Sequence, residues 1–126
     1  MAGLGADHAL FPAGRRTLCR IEDIPDGGGK GFSAPQGGFI GLMAIRQGEQ
    51  VFVYVNSCPH IGTPLDWTPD RFLSNDGRFI VCATHGAEFQ IDNGVCLRGP
   101  CRGDRLEAVP VTVEDGTLYV PHDAGL

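Results

Sequence analysis

Short apolar runs, broken by glycine and proline, organise this chain. Arg16-Thr17-Leu18-Cys19-Arg20-Ile21 alternates polar and apolar residues and predicts an edge strand. Asp26-Gly27-Gly28-Gly29-Lys30-Gly31 reads as an exposed, flexible loop. Phe39 to Ile45 and Val51 to Val55 flank Gln47-Gly48-Glu49-Gln50 and predict a hairpin. Phe79-Ile80-Val81 follows the turn signal Asn75-Asp76-Gly77 and runs straight into Cys82. Ala87 to Ile91 and Val95 to Leu97 flank Asp92-Asn93-Gly94, the strongest short hairpin signal in the chain. Val109 to Val113 and Leu118 to Val120 flank Glu114-Asp115-Gly116-Thr117. Residues 65–77 are less regular, with room for one helical turn capped by Thr68 with Pro69 at its first position. No helical periodicity lasts longer than about two turns. The pattern predicts an all-β protein with many turns.

Composition agrees. Nineteen glycines and nine prolines in 126 residues punctuate the strands, and a chain of this length predicts one domain over residues 1–126. A formal net charge of -5 gives no reason to expect a nucleic-acid partner. No apolar run approaches the roughly 20 residues of a membrane span. The first eight residues lack a basic segment followed by an apolar stretch, so the expected compartment is the cytoplasm. Five cysteines, an odd number, favour metal chemistry there over a disulfide framework.

That chemistry has an obvious seat. Cys58-Pro59-His60 and Cys82-Ala83-Thr84-His85 are compact pairs at predicted strand ends, each followed by a glycine-containing turn. Two thiolates and two imidazoles suit one zinc ion, and they also suit a 2Fe–2S cluster with both cysteines on one iron and both histidines on the other. Zinc sites more commonly pair Cys with Cys and His with His, which tilts the spacing toward iron and sulfur. Charge explains the histidines: four thiolates leave an oxidised cluster at about -2, whereas two thiolates and two neutral imidazoles leave it at about 0, which eases reduction.

The two clips, together with Gly86-Ala87-Glu88-Phe89, Gly94-Val95-Cys96-Leu97-Arg98-Gly99-Pro100 and Leu106, resemble the Rieske-type ferredoxins. The resemblance spans about Gly38 to Val120. It implies a Rieske fold, in which an antiparallel β-sheet base carries a small cluster-binding subdomain, here about residues 56–103. It implies one cluster per chain, with Cys58 and Cys82 on the inner iron and His60 and His85 on the outer. Gly99-Pro100 matches the loop that covers the cluster in that family. The implied role is a soluble electron carrier, itself no enzyme, taking one electron from a flavin-containing reductase to a terminal oxygenase. Two alternatives stay open: the small subunit of a larger oxidoreductase such as a nitrite reductase, and a zinc-stapled binding module.

Departures from the family refine the expectation. The gap between His60 and Cys82 holds 21 residues, somewhat more than usual, and Ala83 stands where proline is common. The extra disulfide of respiratory Rieske proteins would need cysteines at Thr63 and Thr84. Their serine and tyrosine donors correspond here to Ala87 and Phe89, whose side chains cannot donate. A potential near the low end of the Rieske range follows, about -150 mV rather than about +300 mV. Only His8 and His122 remain beyond the clips, both near the termini, and the chain has no room for the second domain that carries the mononuclear iron of an oxygenase. Cys19, Cys96 and Cys101 read as small buried apolar residues, with a Cys96–Cys101 disulfide disfavoured by the compartment. Arg98, Arg102 and Arg105 suit either a docking patch for an acidic reductase or acceptor, or solvated arginines paired with Glu88, Asp92 or Asp104. Trp67 reads as a packing residue, and His8 and His122 as exposed.

Overall fold

The structure is a computed structural model that describes residues 14–32, 41–57, 59, 72–74, 76–82, 86–99 and 102–124. Ten strands among these form three antiparallel sheets. In the first sheet β1 (Arg15–Arg20) pairs with β10 (Thr117–Pro121), which pairs with β9 (Thr112–Glu114). The second has the order β2 (Gly29–Phe32), β3 (Leu42–Gln47), β4 (Gln50–Val55), β8 (Ala108–Val109). The third is β5 (Phe79–Val81), β6 (Glu88–Gln90), β7 (Cys96–Arg98).

The second sheet is buried on both faces, and its sequence explains why. Leu42-Met43-Ala44-Ile45 is apolar without alternation, and all four residues are buried. Leu42 and Ala44 join Val53, Val109, Leu118 and Val120 in one core, against the first sheet. Met43 and Ile45 point the other way and join Tyr54, Phe72, Ile80, Phe89 and Leu106 in a second core, against the third sheet. A strand covered on both sides has no polar face to show, so period-two alternation vanishes. Each fully buried Leu, Ile or Phe contributes roughly 1.5–3 kcal/mol, so the two cores hold the layers together.

The turns follow the expected chemistry. Gly48, at φ 63°, is the first central residue of the two-residue loop that joins β3 to β4, and the hairpin closes with Gln47 opposite Gln50. Asp115 and Gly116 both have positive φ, the type I′ pattern between β9 and β10. Before β5, the Ser74 hydroxyl donates to Asp76 Oδ1 (2.6 Å), which also accepts from the Arg78 N–H (3.1 Å). The Ser74 hydroxyl bond, then the Arg78 backbone N–H, hold the Asp76 carboxyl below the usual range.

Two expectations need correction. Residues 26–31 are not all loop: Gly29, Lys30 and Gly31 belong to β2 and pair with Ile45, Ala44 and Met43. Gly29 is buried, and a Cβ there would sit 2.9 Å from Ile45 Cδ1 and 3.1 Å from Phe72. The glycine serves close packing rather than flexibility. The run from Val109 to Val113 is also two strands. β8 pairs with β4 in the second sheet, and β9 pairs with β10 in the first. Pro110, which has no N–H to give a ladder, stands between them. The edge strand at β1, the β3–β4 and β6–β7 hairpins and β5 lie where the sequence put them, to within two or three residues at their ends. The helical turn at Thr68-Pro69, and Trp67, His8 and Cys101, lie outside the described residues.

Candidate metal centre

Of the four candidate ligands, Cys82 is described, and Cys58, His60 and His85 lie outside the described residues. Cys82 follows the last residue of β5 and is fully buried in the core between the second and third sheets. Its N–H donates to the Ala87 carbonyl (2.9 Å), and its own carbonyl accepts from the Gly86 N–H (2.9 Å). These two bonds tie together the ends of the stretch that carries residues 83–85. Gly86 has φ 70°, a left-handed conformation in which a side chain would be strained. The chain enters the other clip from the end of β4, where the Asn56 N–H donates to the Gly41 carbonyl and the Ser57 N–H to that of Val55.

The Gly99 end of β7 closes over this turn. A Cβ on Gly99 would lie 2.8 Å from Ala87 Cα, and φ there is 101°. Ala87 is 1% exposed and Phe89 0%, so the two positions that lack hydroxyl donors face the packed interior. Beneath them the Tyr54 hydroxyl, from β4, donates to the Ile91 carbonyl (2.5 Å) and joins the second sheet to the β6–β7 hairpin. Burial, and then the Asp92 carboxylate, push the Tyr54 phenol up to about 12, so it stays a donor across the physiological range. Gly94, at φ 72°, lets the same ring approach: a Cβ there would meet Tyr54 Cε1 at 2.9 Å. The sequence reading passed over Tyr54. Its signal was a phenol in a strand that needs a hydrogen-bond partner once buried.

The remaining candidates fall as follows. Cys96 is buried and its thiol donates to the Arg98 carbonyl (3.2 Å). Cys19 is half-buried; burial, with Asp23 adding and Lys30 opposing, pushes its thiol up to about 11. His122 is exposed, as expected. Among the described residues no three of His, Cys, Asp and Glu come together as a metal site, since three of the proposed ligands are not among them. The fit therefore rests on Cys82. A thiol held without exposure at the base of a closed turn, among apolar residues, suits a thiolate that gains its stability from a metal rather than from water.

A profile of the Rieske [2Fe-2S] domain matches residues 15–119. The chain belongs to the Rieske [2Fe-2S] domain family. This Rieske chain is 25% identical over 103 residues to the 3-phenylpropionate/cinnamic acid dioxygenase ferredoxin subunit of Photorhabdus laumondii subsp. laumondii, covering 82% of this chain and 90% of that protein. Among solved structures it is similar to the Sphingomonas yanoikuyae B1 ferredoxin, at 28% identity and TM-score 0.65, covering 86% and 98% of the two chains. It also matches a chain of the complex of reduced oxygenase and oxidized ferredoxin in carbazole 1,9a-dioxygenase, at 24% identity and TM-score 0.69, covering 89% and 96%. The all-β Rieske fold and the ferredoxin reading of the sequence are borne out. Neither the zinc-stapled module nor the nitrite-reductase-type subunit is favoured. No helix among the described residues is long and apolar enough to cross a membrane.

Proposed function

We propose that this Rieske chain, one domain over residues 1–126, binds one 2Fe–2S cluster through Cys58, His60, Cys82 and His85. It takes an electron from a flavin-containing reductase and hands it to a terminal oxygenase, in the cytoplasm and without turning over a substrate of its own. The observation that carries the reading is the full burial of Cys82 at the base of a turn closed by Ala87 and Gly86. The cluster, when bound, supplies a one-electron couple. Cys58 and Cys82 would serve the inner iron and anchor it to the strand ends. His60 and His85 would serve the outer iron, each keeping a proton on its second ring nitrogen to offer a partner. Gly99, packed on Ala87, would help keep water from one side.

The role of an oxygenase partner is supported by the relatives, which are named as dioxygenase ferredoxins or come from such a complex. The experiment is substitution of single ligands. His85→Ala and Cys82→Ala should abolish the reduced-state EPR signal, and a signal that survives either change would refute the ligand set.

A further inference from the structure

β7 and the segment that returns beside it carry an unusual surface. Leu97 is 37% exposed and, with Val113, is one of two exposed large hydrophobic residues among those described. The Cys96 N–H donates to the Asp104 carbonyl, Val95 bridges Arg105, and the Arg102 N–H donates to Gly99. Arg98 follows Leu97 in β7, the Gly99 bond holds Arg102 at the end of that strand, and the Val95–Arg105 bridge sets Arg105 beside it, on the same face as Val95 and Leu97. Arg102 and Arg105 are exposed and form no ion pair among the described residues. The Arg98 side chain is 79% exposed, and its one carboxylate partner among the described residues, Glu88, stands 3.6 Å away. Such a pair is worth little in water.

The charge is local. Residues 97–105 hold three arginines and one aspartate, net +2, while the rest of the chain holds net -7. The arginine face borders Gly99, and Gly99 lies on Ala87, which closes the Cys82 turn.

We propose that Leu97, Arg98, Arg102 and Arg105 form the docking surface for a redox partner whose own face is acidic. The inference rests on the electron-carrier reading. Arginines around one apolar contact steer an acidic face by charge and seat it by burial. Contact there brings the partner beside Gly99 and Ala87, next to the Cys82 turn. Without the arginine face, a chain of net charge -5 would repel such a partner.

The test uses the purified holoprotein, reduced with dithionite, freed of excess reductant, and mixed with ferricyanide at rising sodium chloride. One electron leaves the protein and ferricyanide becomes ferrocyanide, with no proton moved. If the whole-molecule charge governed encounter, salt would speed this reaction. The arginine face predicts that salt slows it, roughly two- to fivefold between about 20 and 200 mM. Arg102→Glu/Arg105→Glu, two exposed changes, should reverse the sign of the salt effect while the visible spectrum stays unchanged. Cytochrome b5, with carboxylates around its exposed haem edge, serves as an acidic protein acceptor. Leu97→Ser should slow its reduction by about threefold or more and leave the ferricyanide rate alone.

A wild-type rate that rises with salt, or a double variant that behaves as wild type, overturns the proposal. So does a dimer in gel filtration that Leu97→Ser dissolves, since a second copy would then own the face. A colourless protein that takes no electron from dithionite refutes the carrier reading itself, whereas a red protein with the wrong salt dependence refutes the docking surface alone.

Discussion

Gly99 rests on the backbone of Ala87, where an added Cβ would come within 2.8 Å of Ala87 Cα. The contact closes the open end of the β6–β7 hairpin, one position beyond the Glu88–Arg98 pair, and joins the turn that leaves Cys82 to the end of β7. Gly99→Ala should strain both, because the contact is backbone to backbone and φ is 101°. We expect a loss of about 1–3 kcal/mol of stability and faster bleaching of the visible spectrum in air. A variant with wild-type melting and bleaching would show that this contact does not hold the site.

Tyr54→Phe removes the donor to the Ile91 carbonyl while keeping the ring that packs on Gly94. The carbonyl loses its partner, so the expected cost is about 1 kcal/mol in chemical denaturation. Equal midpoints would contradict the tie between the sheets.

The same phenol makes a pH prediction. Its ordinary value is 10.0 and the folded value is about 12. Below pH 10 Tyr54 is protonated in both states and the stability is fully present. As pH rises through the window from about 10 to about 12, the unfolded chain ionises first and stability falls, by on the order of 2 kcal/mol. Tyr54→Phe should lack this part of the alkaline loss. A variant as steep as wild type in that window would refute the assignment.

Ala87 and Phe89 are buried without hydroxyls, so the wild-type reduction potential should lie near the low end of the Rieske range, about -150 mV. Ala87→Ser, which restores the hydroxyl that respiratory Rieske proteins carry at the matching position, should raise it by tens of millivolts. Voltammetry checks both, and a wild-type value near the upper end would overturn the account of the donors.

Gly29→Ala tests the corrected part of the fold. A Cβ at 2.9 Å from Ile45 Cδ1 should cost about 1–3 kcal/mol. An exposed loop would accept alanine at no cost.

The strands were legible where one face meets a core and the turn chemistry is explicit, as in β1 and at Gly48. They were harder to read where local sequence underdetermines packing. Gly29 looks like a linker residue until Ile45 and Phe72 close on it. The split of β8 from β9 depends on which sheets Val109 and Val113 join, although Pro110 marked the place. The cysteine–histidine clips were visible because metal binding demands fixed residue types at short spacing. Tyr54 and its bond to Ile91 were not, because the partners stand 37 residues apart.

The central claim is a Rieske cluster on Cys58, His60, Cys82 and His85. Iron, sulfide and zinc analysis of the purified chain, read with its visible spectrum before and after dithionite, tests it most directly. The account predicts a red-brown protein with about two irons and two sulfides per chain that bleaches on reduction. A colourless protein with stoichiometric zinc would contradict it.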